Sequence, residues 1–131
     1  RGEAMTFLTD ILRDLANAEP NASVALLSRY AVQAEEVYRA LKRAGIPNLR
    51  RIRDQDFAFS PGIEVTNILQ AKGLEFDYVV MLDCDASSYP DDDLARHLMH
   101  VGITRTAHQC WLTCIGNPSP LLPAYLKPTN G

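Results

Sequence analysis

The sequence of 131 residues lacks any apolar run approaching the ~20 residues that a helix needs to cross a bilayer. It also lacks a recognisable signal peptide at its start, RGEAMTFLTD. We therefore expect no membrane association and a cytoplasmic protein. Because the first residue is not Met, we also expect the sequence to be an excerpt of a longer chain.

The sequence has fewer basic than acidic residues. The sequence has 13 Lys and Arg against 16 Asp and Glu, which gives a formal net charge of −3. This balance argues against a large basic surface for nucleic acid but permits a local basic groove. The basic cluster LRRIR, with Arg50, Arg51 and Arg53, could line such a groove or could be a solvated strand edge.

Cysteine is also scarce, with Cys84, Cys110 and Cys114 only. An odd number of cysteines without a signal peptide indicates reduced thiols. Cys110 and Cys114 could form a metal-binding pair, but they lie in a strand-like segment and no second pair follows. We therefore predict buried structural cysteines and no metal site.

Helical and strand patterns alternate along the chain. Apolar residues at helical spacing predict helices over 3–18, 32–44 and about 91–106. This alternation predicts one α/β domain with a mainly parallel sheet. Such sheets bind ligands at the carboxyl ends of their strands, so we expect the site in the loops after residues 28, 68 and 82 and near 116. The predicted strands are SVALLS, LRRIR, IEVTNI, DYVVMLD and QCWLTCIG.

The third predicted helix carries an arginine at an unusual position. Leu94, Leu98 and Val101 form its inner stripe, and one further turn reaches Arg105. An inward arginine needs an anion or a carboxylate; otherwise Arg105 interacts with the helix dipole and faces water. Gly102 costs about 1 kcal/mol relative to alanine in a helix, which often marks close approach by another group.

The loop QAKGLEF raises a similar choice. Gly73 permits a positive φ, and Lys72 and Glu75 flank it. The loop is either a turn with solvated charges or a turn that holds a ligand.

Two further patterns offer alternatives of low specificity. Asp83 and Asp85 end a predicted buried strand in a D-x-D pattern, as in Mg²⁺-dependent phosphotransferases, but the Gly-Thr that usually follows is missing. Asp93, His97 and His100 share a helix at metal-compatible spacing, although the apolar residues between the histidines favour an ordinary packed helix.

Three stretches carry a resemblance to a known family. NILQAKGLEFDYVVML resembles helicase motif V, RHLMHVGITRT resembles motif VI, and VALLSRYAVQAEEVYRALKRAGIP resembles a strand–helix unit of the same proteins. Together they resemble the second RecA-like motor domain of UvrD/Rep-type superfamily 1 DNA helicases. The resemblance implies a RecA-like three-layer α/β/α domain, which we expect over residues 1–126. We expect the terminal KPTNG, residues 127–131, to be a disordered tail. Gly62 lies only 17 positions after Gly45, which resembles compact members without the large accessory-domain insertion.

The resemblance implies a nucleotide-binding role for three residues. Arg105 matches the catalytic motif VI arginine, which reaches the γ-phosphate of ATP. Glu75 matches the motif V glutamate that contacts the nucleotide, and Gly73 matches the glycine that lets the backbone approach it. Arg105 is thus implied to bind the nucleotide together with these two residues. A guanidinium suits this role because phosphoryl transfer develops negative charge on the equatorial oxygens.

The resemblance also implies nucleic-acid contacts. Arg29, Asn67 and Lys72 match residues that face single-stranded DNA. The sequence departs from the family pattern nearby, since Asn67 replaces Thr, Leu69 replaces His and His100 replaces Tyr. The side chain of Leu69 cannot hydrogen-bond a base or a phosphate, so it cannot make the contact of that histidine.

One motif is absent. No G-x-x-x-x-G-K-[ST] pattern occurs, so the resemblance implies that ATP and Mg²⁺ are held mainly by an N-terminal motor domain of the same chain. We expect the C-terminal motor half of an ATP-dependent DNA helicase, inactive alone. The alternative is a helicase-derived regulatory or partner-binding module without translocation activity.

Overall fold

The computed structural model describes residues 2–53, 61–114 and 116–124, of which residues 2–4 and 124 are described by their backbone alone. The predicted disordered tail over 127–131 and the end of the predicted domain at residue 126 lie outside these residues. The order of elements is α1 (Gly2–Ala18), β1 (Ser23–Ser28), α2 (Ala31–Arg43), β2 (Leu49–Arg51), β3 (Gly62–Asn67), α3 (Ile68–Ala71), β4 (Phe76–Met81), α4 (Asp93–Ile103), β5 (Thr106–Leu112) and a short 3-10 helix (Leu122–Ala124).

The five strands form one sheet in the order β2-β3-β1-β4-β5, and every neighbouring pair is parallel. The central strand β1 has the sequence SVALLS and is buried from its second residue onward. A continuous apolar run of this kind is typical of a parallel strand covered on both faces. The predicted α/β class with a mainly parallel sheet is therefore confirmed.

Two apolar cores lie on opposite faces of the sheet. Alternate side chains of β1 point to opposite sides, so Leu26 packs with α1 and α2, whereas Leu27 packs with α3 and α4. Helices thus cover both faces, which confirms the three-layer α/β/α arrangement. No helix among the described residues is long and apolar enough to cross a membrane.

The third predicted helix is shorter than expected. Helix α4 begins after Asp92, whose side chain accepts a hydrogen bond of 2.7 Å from the Ala95 amide, and ends before Thr104. An N-terminal aspartate cap of this kind satisfies an amide that has no partner within the helix. The expectation of a helix over 91–106 was therefore wrong at both ends, and Arg105 lies outside α4.

The inner stripe of α4 also differs from the prediction. Leu98 and Val101 are buried as expected, but Leu94 is 59% exposed. Ala95, its neighbour in the same turn, is fully buried instead. The buried face is instead formed by Ala95, Leu98, Met99, Val101 and Gly102.

The chain after β5 returns across the loop between β4 and α4. Asp85 and Pro118 form an isolated antiparallel bridge, and the Ser119 hydroxyl donates to the Tyr89 carbonyl at 2.6 Å. Leu121 and Leu122 are buried in the core beneath α4. This return fixes the loop that follows β4.

Candidate nucleotide and nucleic-acid site

The six predicted site residues lie at two opposite edges of the sheet. Ser28 and Asn67 are paired at the carboxyl ends of β1 and β3, and Arg29 follows Ser28. Glu75 and Arg105 precede β4 and β5, so they lie at the amino ends. A strand of six residues spans about 20 Å. The expectation of one site at the carboxyl ends was therefore wrong for Glu75 and Arg105, because each enters its strand rather than leaves it.

Arg105 is held at the amino edge by its own backbone. The Phe76 amide donates to the Arg105 carbonyl at 2.8 Å, which ties the start of β5 to the start of β4. The guanidinium is half-buried; Nε donates to the Val101 carbonyl at 3.1 Å and Nη2 to Thr104 Oγ1 at 3.3 Å. Within the part of the chain described, no carboxylate neutralises this arginine. Its charge is therefore available to an anion.

The turn before β4 brings Gly73 and Glu75 to the same edge. Gly73 has a φ of +85°, a left-handed conformation that favours glycine, as the sequence predicted. No atom lies within 4 Å of the position that a Cβ would occupy there. The backbone conformation, and not a lack of space, therefore favours glycine at this position. Lys72 and Glu75 are exposed beside it.

Asn67 has a structural role that the sequence did not reveal. Its side chain accepts a hydrogen bond of 3.2 Å from the Gln70 amide and caps α3, a single helical turn that we did not predict. Threonine and asparagine can both serve as such caps, so the departure from the family pattern preserves this function. The cap uses Oδ1 and leaves Nδ2 as a donor.

Arg29 is partly committed to the fold. Its Nη1 donates to the Ser88 carbonyl, and its guanidinium lies 5.2 Å from the centre of the Tyr30 ring. Gln33 also reaches this loop, through a bond of 2.8 Å from Nε2 to Ser88 Oγ. Arg29 therefore joins the end of β1 to the loop after β4 as well as facing the carboxyl edge.

The basic cluster LRRIR does not form an open basic groove. Glu35 on α2 lies 3.2 Å from Arg51 and 2.8 Å from Arg53. Arg50 lies 3.6 Å from the buried carboxylate of Glu64. All three arginines therefore pair with carboxylates of the same domain, which favours a role in the fold over an open basic groove.

Gly102 is where α4 approaches the sheet most closely. A Cβ at this position would lie 2.4 Å from the sulfur of Met81, a fully buried side chain of β4, and 3.5 Å from Ile68. Real Cβ atoms do not approach neighbours so closely. The glycine therefore allows the close approach that the sequence led us to expect. The chain continues from this contact to Arg105, three residues later.

The D-x-D pattern and the cysteines, which the sequence offered as alternative sites, have roles within the fold. Asp85 accepts bonds from Ser87 Oγ at 2.9 Å and from the Ser88 amide at 3.1 Å, which shape the loop. Burial raises the pKa of Cys84, and raises that of Cys110 to about 12, so both are neutral thiols at physiological pH. Over 2–53, 61–114 and 116–124, no three His, Cys, Asp or Glu side chains are placed to hold a metal ion.

Comparison with known proteins identifies a family model and a solved structure that are similar to this chain. Residues 62–113 match the family model described as the UvrD-like helicase C-terminal domain. The fold is similar to the crystal structure of the C-terminal domain of a possible DNA helicase from Lactobacillus plantarum WCFS1, with a TM-score of 0.78 and 25% sequence identity over 93% of this chain and 73% of that one. No curated protein matches the chain. The two matches confirm the predicted resemblance of this chain to a UvrD-like helicase C-terminal domain.

Proposed function

We propose that the chain is the C-terminal motor half of an ATP-dependent DNA helicase or translocase, and that Arg105 is its catalytic arginine. The observation that carries this proposal is the placement of Arg105 beside Glu75 and Gly73 at the amino edge, in a helicase-like domain. The amino edge would face ATP, and the carboxyl edge would face single-stranded DNA.

The chemistry at the amino edge suits a triphosphate. A planar guanidinium can pair with two phosphate oxygens and stabilise the charge that develops during phosphoryl transfer. The Arg105 guanidinium contacts a carbonyl and a hydroxyl, so an arriving γ-phosphate would not have to displace a carboxylate. Glu75, exposed one residue before β4, would contact the nucleotide, and the turn at Gly73 would allow the backbone to approach it.

ATP and Mg²⁺ would be held mainly by an N-terminal motor domain of the same chain, because this sequence has no phosphate-binding G-x-x-x-x-G-K-[ST] loop. Binding of ATP would close the two domains and bring Arg105 to the γ-phosphate. The chain alone would then hydrolyse no ATP. The proposal places the protein in the cytoplasm, where its three free thiols would stay reduced.

Lys72, in the connection from β3 to β4, would supply the clearest nucleic-acid contact, and Arg29 and Asn67 at the carboxyl edge would add to it. Arg29 and Asn67 already make local hydrogen bonds, whereas Lys72 is exposed at the end of α3. We predict weak, salt-sensitive binding of single-stranded DNA by this chain, because few basic groups are available to release counterions. Lys72→Ala should weaken binding to all sequences similarly and reduce the slope of log K against log salt by about 0.7–1.

Fluorescence anisotropy with a labelled oligonucleotide at several salt concentrations would measure this. Lys42→Ala is the matched control, since Lys42 is an exposed lysine near the end of α2 and should leave the slope unchanged. Tight binding that does not depend on salt would contradict the proposal.

A second candidate function is a helicase-derived regulatory or partner-binding module. Leu69 favours it, because this side chain is 62% exposed where the family resemblance leads us to expect a histidine. An exposed leucine suits a protein partner better than a phosphate. Such a module would show no nucleic-acid-stimulated ATP hydrolysis in the parent protein.

A further inference from the structure

The sheet carries a row of partly exposed aromatic rings beside its open edge. Tyr78 of β4 and Trp111 of β5 point to the face opposite α4, and both are only half-buried. The Tyr78 ring lies 5.6 Å from that of His108 and 5.8 Å from that of Trp111, centre to centre. Tyrosine and tryptophan are enriched at protein interfaces, because each combines a large apolar ring with a group that donates a hydrogen bond.

Two carboxylates border this row. Glu19 accepts a hydrogen bond of 2.9 Å from the Tyr78 hydroxyl. Asp77 accepts one of 2.8 Å from the Ser23 amide, and its other oxygen lies 3.7 Å from His108 Nε2. Each carboxylate therefore has a fixed position and keeps further acceptor capacity.

These side chains surround a cleft of about 230 Å³ that is open to solvent. Among the described residues that line it there is no lysine or arginine, so the two carboxylates give it a negative potential. The lining consists of Glu19, Pro20, Asn21, Ala22, Asp77, Tyr78 and His108.

The edge strand is shaped against sheet extension. Between the pairs Phe76–Thr106 and Tyr78–Gln109, β5 advances three residues while β4 advances two, so β5 contains a bulge. A bulge interrupts the regular row of hydrogen-bonding groups that an added strand would need. It also turns His108 towards Asp77. A partner at this edge would therefore contact the side chains of the cleft rather than extend the sheet.

We propose that this acidic aromatic cleft, formed by Glu19, Asp77, Tyr78 and His108, binds an arginine side chain of a protein partner. A guanidinium stacks on an aromatic face and pairs in its plane with carboxylates, and it is more weakly hydrated than a lysine ammonium. The acidic lining repels the phosphates of a nucleic acid, which makes protein the complementary partner. The cleft shares no residue with the proposed nucleotide site, although Asp77 and His108 lie near the same amino edge, and arginine binding there does not depend on ATP hydrolysis by the parent.

The test uses the single tryptophan of the sequence, Trp111, as a fluorescent reporter beside the cleft. The probes are arginine capped as N-acetyl and N-methylamide, and citrulline with the same caps, which has nearly the same shape but no charge. We expect a saturable change in Trp111 emission with capped arginine, and an affinity for capped citrulline that is about fivefold weaker or more.

Substitutions then locate the binding. Glu19→Gln retains an acceptor for the Tyr78 hydroxyl and should weaken arginine binding about fivefold; Asp77→Asn should do the same. Asp10→Asn removes an exposed carboxylate elsewhere on α1 and should change nothing. If Asp77→Asn does not fold, because the Ser23 contact is altered, Glu19→Gln alone decides.

The proposal is overturned by no saturable change with arginine, by equal affinity for citrulline, or by Glu19→Gln binding that matches the wild type. Displacement of bound capped arginine by a dT oligonucleotide would also overturn it and reassign the cleft to nucleic acid.

Discussion

Arg105→Ala in the full-length parent is expected to lower the nucleic-acid-stimulated ATPase rate by ~10³-fold or more, the scale of an arginine that stabilises phosphoryl transfer. The fold should persist, because the side chain is half-buried and its hydrogen bonds to described residues go to Val101 and Thr104, near it in the chain. The loss of such hydrogen bonds costs about 1 kcal/mol. A steady-state ATPase assay, with thermal unfolding of each variant, separates the two effects.

Arg96→Ala is the matched control for this experiment. Arg96 is an exposed arginine on α4 that pairs with Asp91 and Asp93, away from the amino edge. Its removal should leave the stimulated rate within about twofold, since exposed ion pairs contribute little. A rate in Arg105→Ala equal to that of the wild type would remove Arg105 from the catalytic site.

Gly102→Val is expected to lower the free energy of unfolding by about 2–3 kcal/mol. The new Cβ would occupy space that Met81 already fills, 2.4 Å from its sulfur, and Met81 has no exposed surface into which it can retreat. Valine gains some helix propensity over glycine, but by only a few tenths of a kcal/mol. Because α4 leads directly to Arg105, we also expect reduced ATPase activity in the folded fraction.

Urea unfolding followed by circular dichroism measures this change as a lower midpoint with an unchanged slope. His97→Val is the control, since His97 is exposed on the same helix. A double variant, Gly102→Ala with Met81→Val, should be more stable than the sum of the two single effects, because the smaller side chain makes room for the Cβ. Full stability of Gly102→Val would show that α4 does not depend on this contact.

The sequence predicted the layers of this fold well because the apolar pattern is strong in its strands. SVALLS and DYVVMLD are continuous apolar runs, and both became central strands with residues buried from two sides. Helices α1 and α2 were predicted to within one residue, because Gly45 and the turn before β1 limit them clearly.

The sequence was less informative where local contacts decide the structure. Leu94 fits a helical stripe by spacing, yet it is exposed, and its neighbour Ala95 is buried instead. The capping role of Asn67 depends on a single turn of helix, too short for periodicity to reveal. Glu75 and Arg105 lie at the amino edge because each directly precedes its strand. The predicted strand boundaries were too coarse to show this.

The candidate site was identified mainly through motif resemblance, and the structure adds geometry to it. Resemblance named Arg105, but only the bond from Phe76 to its carbonyl shows how the residue is held beside the motif V turn. The acidic aromatic cleft had no signal in the sequence, because Glu19, Asp77 and His108 are far apart in the chain and come together only in the folded domain.

ATP turnover by the full-length parent, measured with and without single-stranded DNA, tests the central claim most directly. A motor whose two halves close on ATP and move along DNA predicts a clear increase in turnover when single-stranded DNA is added. A parent that hydrolyses no ATP under either condition would contradict the motor function and favour a helicase-derived binding module.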